Sequence, residues 1–251
     1  MIILLSPAKT LDLTSPYPEA ATEPRFEAEA SRIARAAAKL TAADLARLMH
    51  ISEKLATLNV ERFRNFAMAQ ARPAIRTFAG DVYRGFDAAS ADEDTITFAQ
   101  DHLRLLSGLY GVLRPLDAIR PYRLEMGTGW APKGGKLTDH WGKWVARAVL
   151  DDARRDGSAT ILNLASNEYF AAVGPHLPKK GVALIAPDFR VRTAAGVQFQ
   201  SFTAKVARGT MARWVCEERI ADLAALPSFD RNGWVYQPQG STPDRPLFVR
   251  G

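Results

Sequence analysis

The sequence predicts an α/β protein, a mixed sheet with helices around it, folded as one domain over residues 1–251. Three observations point there. Apolar runs of strand length at 2–5, 159–164 and 182–185 alternate with stretches of helical spacing, the pattern that interleaved strands and helices leave in a chain. Hydrophobic residues make up 47% of the 251, enough for one sizeable core at this length. Nothing in between reads as a linker, an internal repeat or a low-complexity tract.

The chain opens with Ile2-Ile3-Leu4-Leu5, a continuous apolar run that predicts a strand inside a sheet, and leaves it through a Ser- and Pro-rich loop reaching Pro18. From Phe26 to Leu40 an Ala-rich stretch sets Ile33, Ala37 and Leu40 at helical spacing. Thr41 starts a second helix as its N-cap, and Asp44 stands three residues on, where a capping box carries Glu or Gln. A third helix is expected from Ser52 or Asn59 to Met68, and a further one over 92–105. Gly108, Gly111, Pro115, Pro121, Gly127 and Gly129 then punctuate a long irregular stretch, the kind of segment that carries binding or catalytic groups. Trp141, Trp144, Val145 and Val149 restore helical spacing between Leu137 and Ala153. After the strands at 159–164 and 182–185, a strand at 197–202 leads into a helix at 203–220. Residues 234–236 and 247–249 are expected to close a terminal hairpin.

Composition excludes several classes. The single cysteine, Cys216, permits no internal disulfide and no thiolate metal cage; beside Trp214 and Val215 in a helical pattern it reads as a buried, inert thiol. A reducing compartment is expected. The apolar start turns at Ser6-Pro7 too soon for a signal segment, and no run reaches membrane-spanning length, so a cytoplasmic protein without membrane contact is expected. The histidines, His50, His102, His140 and His176, fall at no metal-ligand spacing, and neither a P-loop, a dinucleotide fingerprint nor a Gly-x-Ser-x-Gly elbow occurs; no metal and no cofactor are expected.

The formal net charge of +6 matters through its distribution. Residues 31–80 hold Arg32, Arg35, Lys39, Arg47, Lys54, Arg62, Arg64, Arg72 and Arg76 against only Asp44, Glu53 and Glu61, and residues 189–214 add Arg190, Arg192, Lys205, Arg208 and Arg213 with no carboxylate. On one shared face these make an anion-binding surface; apart, they are ordinary solvated helix faces. The string Leu48-Met49-His50-Ile51-Ser52-Glu53-Lys54-Leu55-Ala56 lies between two predicted helices. It resembles the helix-hairpin-helix of DNA repair proteins, in which backbone N–H groups at a helix N-terminus receive a phosphate. His50 and Ser52 stand where that consensus carries glycine, and Ser52 also serves as a plain N-cap.

Further strings extend a resemblance along the whole chain. Ser6-Pro7-Ala8-Lys9-Thr10, Gly80-Asp81-Val82-Tyr83, the stretch 106–117 (LSGLYGVLRPLD), Pro121-Tyr122-Arg123-Leu124-Glu125-Met126-Gly127, the stretch 163–170 (NLASNEYF) and Ala204-Lys205-Val206-Ala207-Arg208-Gly209 resemble, end to end, the YaaA family of bacterial peroxide-stress resistance proteins. The resemblance implies a distinctive α/β fold with a helix-hairpin-helix, here at about 41–68, in a basic cleft. It also implies binding of double-stranded DNA, survival of hydrogen peroxide and restraint of free intracellular iron. The family's hairpin core, Ile-Ser-acid-Lys-Leu-Ala, is matched by residues 51–56. On that ground His50, Ser52 and Lys54, with Arg47, Arg62, Arg64, Lys205 and Arg208, are the candidates for contact with the DNA backbone, with little sequence readout.

A second expectation comes from another class of protein. Lys9, Arg114, Tyr122, Arg123, Asn163, Ser166, Glu168, Lys205 and Arg208 form a richer polar set than backbone contact needs. Residues 6–9 and 163–166 each follow a predicted strand, and open α/β sheets bind ligands at strand ends. An enzyme on a small anionic ligand would grip it with Lys9 or Arg123 and use Glu168 as acid or base, with Asn163 among its catalytic candidates. A buried polar network that holds the loops is the structural alternative. Convergence of Lys9, Arg123, Asn163, Glu168 and Lys205 on one concave site, apart from the hairpin, decides between these readings.

Overall fold

A computed structural model describes residues 1–251. Five strands, Ile2–Leu5 (β1), Leu103–Ser107 (β2), Gly111–Leu113 (β3), Thr160–Asn163 (β4) and Ala183–Ile185 (β5), form the main sheet in the order β3-β2-β1-β4-β5. Only the edge strand β3 is antiparallel to its neighbour. β1 lies in the middle and is buried along its whole length, which is why its sequence is apolar without alternation. Four later strands, Asp188–Thr193 (β6), Gly196–Gln198 (β7), Trp234–Thr242 (β8) and Arg245–Arg250 (β9), make a second sheet in the order β7-β6-β9-β8. The terminal hairpin is present, with Tyr236 opposite Phe248. One hydrophobic core reaches from β1 to Phe189, Trp234 and Phe248 of the second sheet.

Seven longer helices surround the main sheet: Glu27–Ala37 (α1), Ala42–Met49 (α2), Glu53–Arg64 (α3), Asp81–Phe86 (α4), Glu93–His102 (α5), Leu137–Arg155 (α6) and Ser201–Glu217 (α7). The apolar stripe of α6 is buried through Trp141, Val145 and Val149, and the Trp141 indole N–H donates to the Gly108 carbonyl at 2.8 Å. α4 and α7 cross so closely that a Cβ on Gly209 would stand 1.8 Å from the Val82 carbonyl oxygen. Only glycine fits there.

The expected helix over 92–105 ends early: α5 stops at His102 and residues 103–107 are the interior strand β2. A short apolar run gives no periodicity to separate strand from helix, and Arg104 disguises this one. Arg104 is buried inside β2, and its Nε donates to Asp152 at 2.7 Å. The expected strand over 197–202 is likewise only Gly196–Gln198, and α7 already begins at Ser201. Strand β6, with alternating cations, escaped the sequence reading.

Candidate anion-binding face

Thr41 caps α2 as its sequence predicts. Its Oγ1 accepts from the Asp44 amide and its own amide donates to Asp44 Oδ2, both at 3.1 Å, so Asp completes the capping box. α2 ends at His50, which adopts the left-handed conformation (φ 51°, ψ 50°), and the Ile51 amide reaches back to the Ala46 carbonyl at 3.2 Å. Histidine thus makes the turn for which the repair consensus uses glycine. Ser52 caps α3, its Oγ accepting from the Leu55 amide at 3.4 Å. The amides of Ser52, Glu53 and Lys54 have no acceptor within the protein, and all three residues are exposed. The 12-residue α3 therefore turns its positive dipole end and free N–H groups to solvent, with the Lys54 ammonium in the same turn and the Glu53 carboxylate opposing it.

A second group gathers at the carboxyl ends of β1, β2 and β4. Ser6, following β1, accepts the Ser166 amide on its Oγ at 2.9 Å and the Tyr83 hydroxyl on its carbonyl at 3.2 Å. Ser107 ends β2 with its Oγ 2.6 Å from the Tyr122 hydroxyl. Burial pushes the phenols of Tyr83, Tyr122 and Tyr169 up, which keeps them protonated. Beyond Tyr122 the loop delivers Glu125, whose Oε1 accepts from Arg123 Nε at 2.9 Å and lies 3.5 Å from Lys9 Nζ. Its Oε2 is buried without a partner. Close backbone packing holds this loop, since a Cβ on Gly108 would come 2.2 Å from the Leu124 carbonyl oxygen. Two residues after Glu125, the Gly127 amide donates to Glu168 Oε1 at 3.3 Å.

Lys9 and Arg123 therefore do converge, on a carboxylate that the sequence reading did not single out. Its one signal was an acid between Arg123 and Gly127 in a Gly- and Pro-punctuated loop. Glu168 reaches the same loop. Asn163 sits at the end of β4 with its Oδ1 occupied by the Ala165 amide at 3.0 Å, and Lys205 is exposed on α7 without an ion pair. Arg208, half-buried on α7, has its pKa lowered by burial, with partial compensation from Asp188. The cluster is not apart from the hairpin: Arg62 of α3 is half-buried without an ion pair, its pKa lowered by burial and then by the charge of Arg123. Arg64 is exposed and unpaired, whereas Arg47 pairs with Asp44 at 3.0 Å.

Part of the basic excess is already paired. Arg32 pairs with buried Glu29, Arg76 with Glu19, and Arg213 with Glu217, while Arg72 stacks over Tyr17. A cavity of about 290 Å³ at the opposite, amino-terminal edge of the sheet is lined by charged side chains that neutralise one another around Asp152 and Asp156. His102 contacts Asp156 and His140 contacts Glu29, so both are engaged in the structure. No three metal-ligating side chains converge. Cys216 is buried, and burial pushes its thiol up to about 12. No helix is long and apolar enough to cross a membrane.

These features define an α/β protein whose parallel strands end beneath a cation-rich loop face that adjoins a two-helix hairpin. The chain belongs to the peroxide stress protein YaaA family, whose model matches residues 1–240. Similar proteins span its full length. A UPF0246 protein of Rhizorhabdus wittichii is 54% identical, with 100% of this chain and 99% of that protein covered. Others from Ruegeria pomeroyi and Caulobacter vibrioides are 46% and 44% identical, covering 100% of this chain and 98% and 99% of their own. The resemblance read from the sequence strings is thereby borne out, and with it membership of a peroxide-stress family.

Proposed function

We propose that this protein acts in the cytoplasm during peroxide stress by binding the backbone of double-stranded DNA and helps to limit free intracellular iron. The observation that carries the DNA reading is the hairpin. Three unpartnered amides at the N-terminus of α3 stand beside Lys54, with unpaired Arg62 and Arg64 on the same helix. A phosphate satisfies such amides and meets the favourable end of the helix dipole. The contacts are amides and cations rather than groups aimed at base edges, so binding is electrostatic and indifferent to sequence. Fluorescence anisotropy on two short duplexes of unrelated sequence tests this. Equal affinities are expected, with a log–log salt slope of about −3 to −5, as for a handful of phosphates. Salt-independent binding, or strong preference for one duplex, contradicts it.

A second reading, an enzyme on a small anionic substrate, is favoured by the convergence of Lys9 and Arg123 on Glu125 at the strand ends, where α/β folds hold ligands. In that reading Glu168 is the exposed acid or base. Glu168→Gln separates the two readings: it leaves duplex affinity unchanged or slightly higher, but abolishes small-molecule turnover.

A further inference from the structure

We infer that the exposed face of α6 carries a binding site for a nucleobase linked to a phosphate, in which the ring stacks on Trp144 and the phosphate meets Lys143 and Arg147. The site shares no residue with the hairpin or with the cluster around Glu125, and the inference depends on neither reading above. Helical spacing builds it. Trp144, Ala148, Asp151 and Arg155 follow at three- and four-residue steps and so form one row along α6, with Arg147 one turn from both Trp144 and Asp151, and Lys143 one turn before Arg147. Phe26, just before α1, packs against this row, its ring centroid 6.1 Å from that of Trp144. A cavity of about 480 Å³ opens here, within the range of small-molecule sites. Phe26 and Trp144 line it, and buried Ala148 contributes only a methyl group. Trp141, Val145 and Val149 of the same helix are buried, whereas Trp144 is 49% exposed. An indole left open beside a cavity is a stacking surface for a planar ring, and such stacking accepts any base.

Charge then selects what the ring carries. Arg25, Lys143, Arg147 and Arg155 line the cavity against one carboxylate, Asp151. Arg25 and Arg155 are already committed to buried Asp152. Lys143 has no ion pair, and Arg147, with its side chain 85% exposed, stands 3.6 Å from Asp151, too far for a hydrogen bond. These two cations remain for an anion. Asp151 is the one carboxylate on the lining and suits a ribose hydroxyl as donor. An apolar partner would leave these charges without a match, and a second copy of the same patch would set like charges against each other. A bare phosphate would leave Trp144 and Phe26 unused. A ring and a phosphate in one ligand use both halves of the cavity. Two sources share this chemistry, a free mononucleotide and an unpaired base within a nucleic-acid strand.

Titration calorimetry and tryptophan fluorescence with AMP test the site. AMP is expected to bind at least about fivefold more tightly than ribose 5-phosphate, which lacks the ring, and than adenosine, which lacks the phosphate. Trp144→Leu keeps an apolar side chain without a π surface; it should weaken AMP about fivefold or more and remove the quenching that AMP causes, and Trp144→Phe should restore part of the affinity. The pair Lys143→Gln and Arg147→Gln should bring AMP down to the affinity of adenosine. These three side chains are exposed, so the variants should fold. Ala148→Leu fills the cavity with every charge in place and should abolish AMP binding, while duplex affinity stays unchanged, which keeps failure of this site distinct from failure of the hairpin reading. A four-residue oligo-dA separates the sources: tighter binding than AMP, lost in Trp144→Leu, assigns an unpaired base, and equal or weaker binding assigns a mononucleotide. Equal affinities for AMP and ribose 5-phosphate, full AMP affinity in Trp144→Leu, or no AMP binding at millimolar concentration overturn the inference.

Discussion

Two charged regions sit at opposite edges of the same sheet, and they treat their charges in opposite ways. At the amino edge Asp152, with a side chain only 1% exposed, accepts from Arg25 and Arg104 at 2.7 Å and from Arg155 at 3.4 Å; Asp156 takes the N-terminal ammonium and His102. Each buried charge there has a partner supplied by the fold. At the carboxyl edge Lys9 and Arg123 share the single carboxylate of Glu125, and Arg62, whose pKa is lowered by burial and then by the charge of Arg123, has no carboxylate of its own. Packing like charges together is unfavourable for the free protein. The amino edge therefore reads as structure and the carboxyl edge as a surface that awaits an anion, although arginine and a carboxylate build both.

The contrast breaks most sharply at Asp152. Asp152→Asn leaves Arg104 buried without its carboxylate and should cost about 3–5 kcal/mol in urea unfolding. Burial pushes the Asp152 carboxyl up, but hydrogen bonds and charges from Arg25 and Arg104 outweigh it and hold the folded pKa below the usual range. A depressed folded pKa gives stability that is present above the unfolded value, about 3.9, and lost as pH falls through the folded one. Acid titration of the melting temperature should thus show a loss below about pH 4 that Asp152→Asn flattens. Arg25 belongs to this network, although it lies outside the basic segment of the sequence.

A smaller effect is expected at the loop that carries Glu125. Gly108→Ala forces the Leu124 backbone away and should cost about 1–3 kcal/mol. Chemical-shift changes centred on Glu125 and Arg123 would show that the loss is local. His50→Gly relieves the left-handed turn of the hairpin and should gain about 0.5–1 kcal/mol, the strain removed less the entropy that glycine adds. Arg62→Gln should alter stability by no more than about 0.5 kcal/mol, in contrast to Asp152→Asn, because no partner is orphaned. A large loss in Arg62→Gln would show that the carboxyl edge is also compensated and erase the distinction.

What the sequence revealed follows from the range of each interaction. The capping box of Thr41 and Asp44 and the cap at Ser52 depend on neighbours within a few residues, and the strand Ile2–Leu5, though its partners are distant, is an unbroken apolar run; each was legible. Strand β2 was not, because it follows α5 without a Gly or Pro break and carries Arg104, whose partner lies 48 residues away. Glu125 escaped for the same reason: Lys9 reaches it from the other end of a long stretch of chain. The basic segments looked continuous in sequence, yet Arg76 is held by Glu19, 57 residues away, a carboxylate that no local pattern marks, whereas Arg32 and Arg213 pair with Glu29 and Glu217 one helical turn off.

The central claim is that the hairpin face, unlike the compensated amino edge, meets DNA phosphates, and Lys54 tests it most directly. Lys54→Glu places a carboxylate beside the free amides of α3, where an acid near a helix N-terminus does not destabilise the fold. Anisotropy at one fixed salt concentration should show its duplex affinity falling by about tenfold or more, while Lys179→Glu, an equal change of net charge elsewhere, falls far less. Equal weakening by both variants at unchanged melting temperature would mean diffuse attraction without a hairpin contact, and contradict the account.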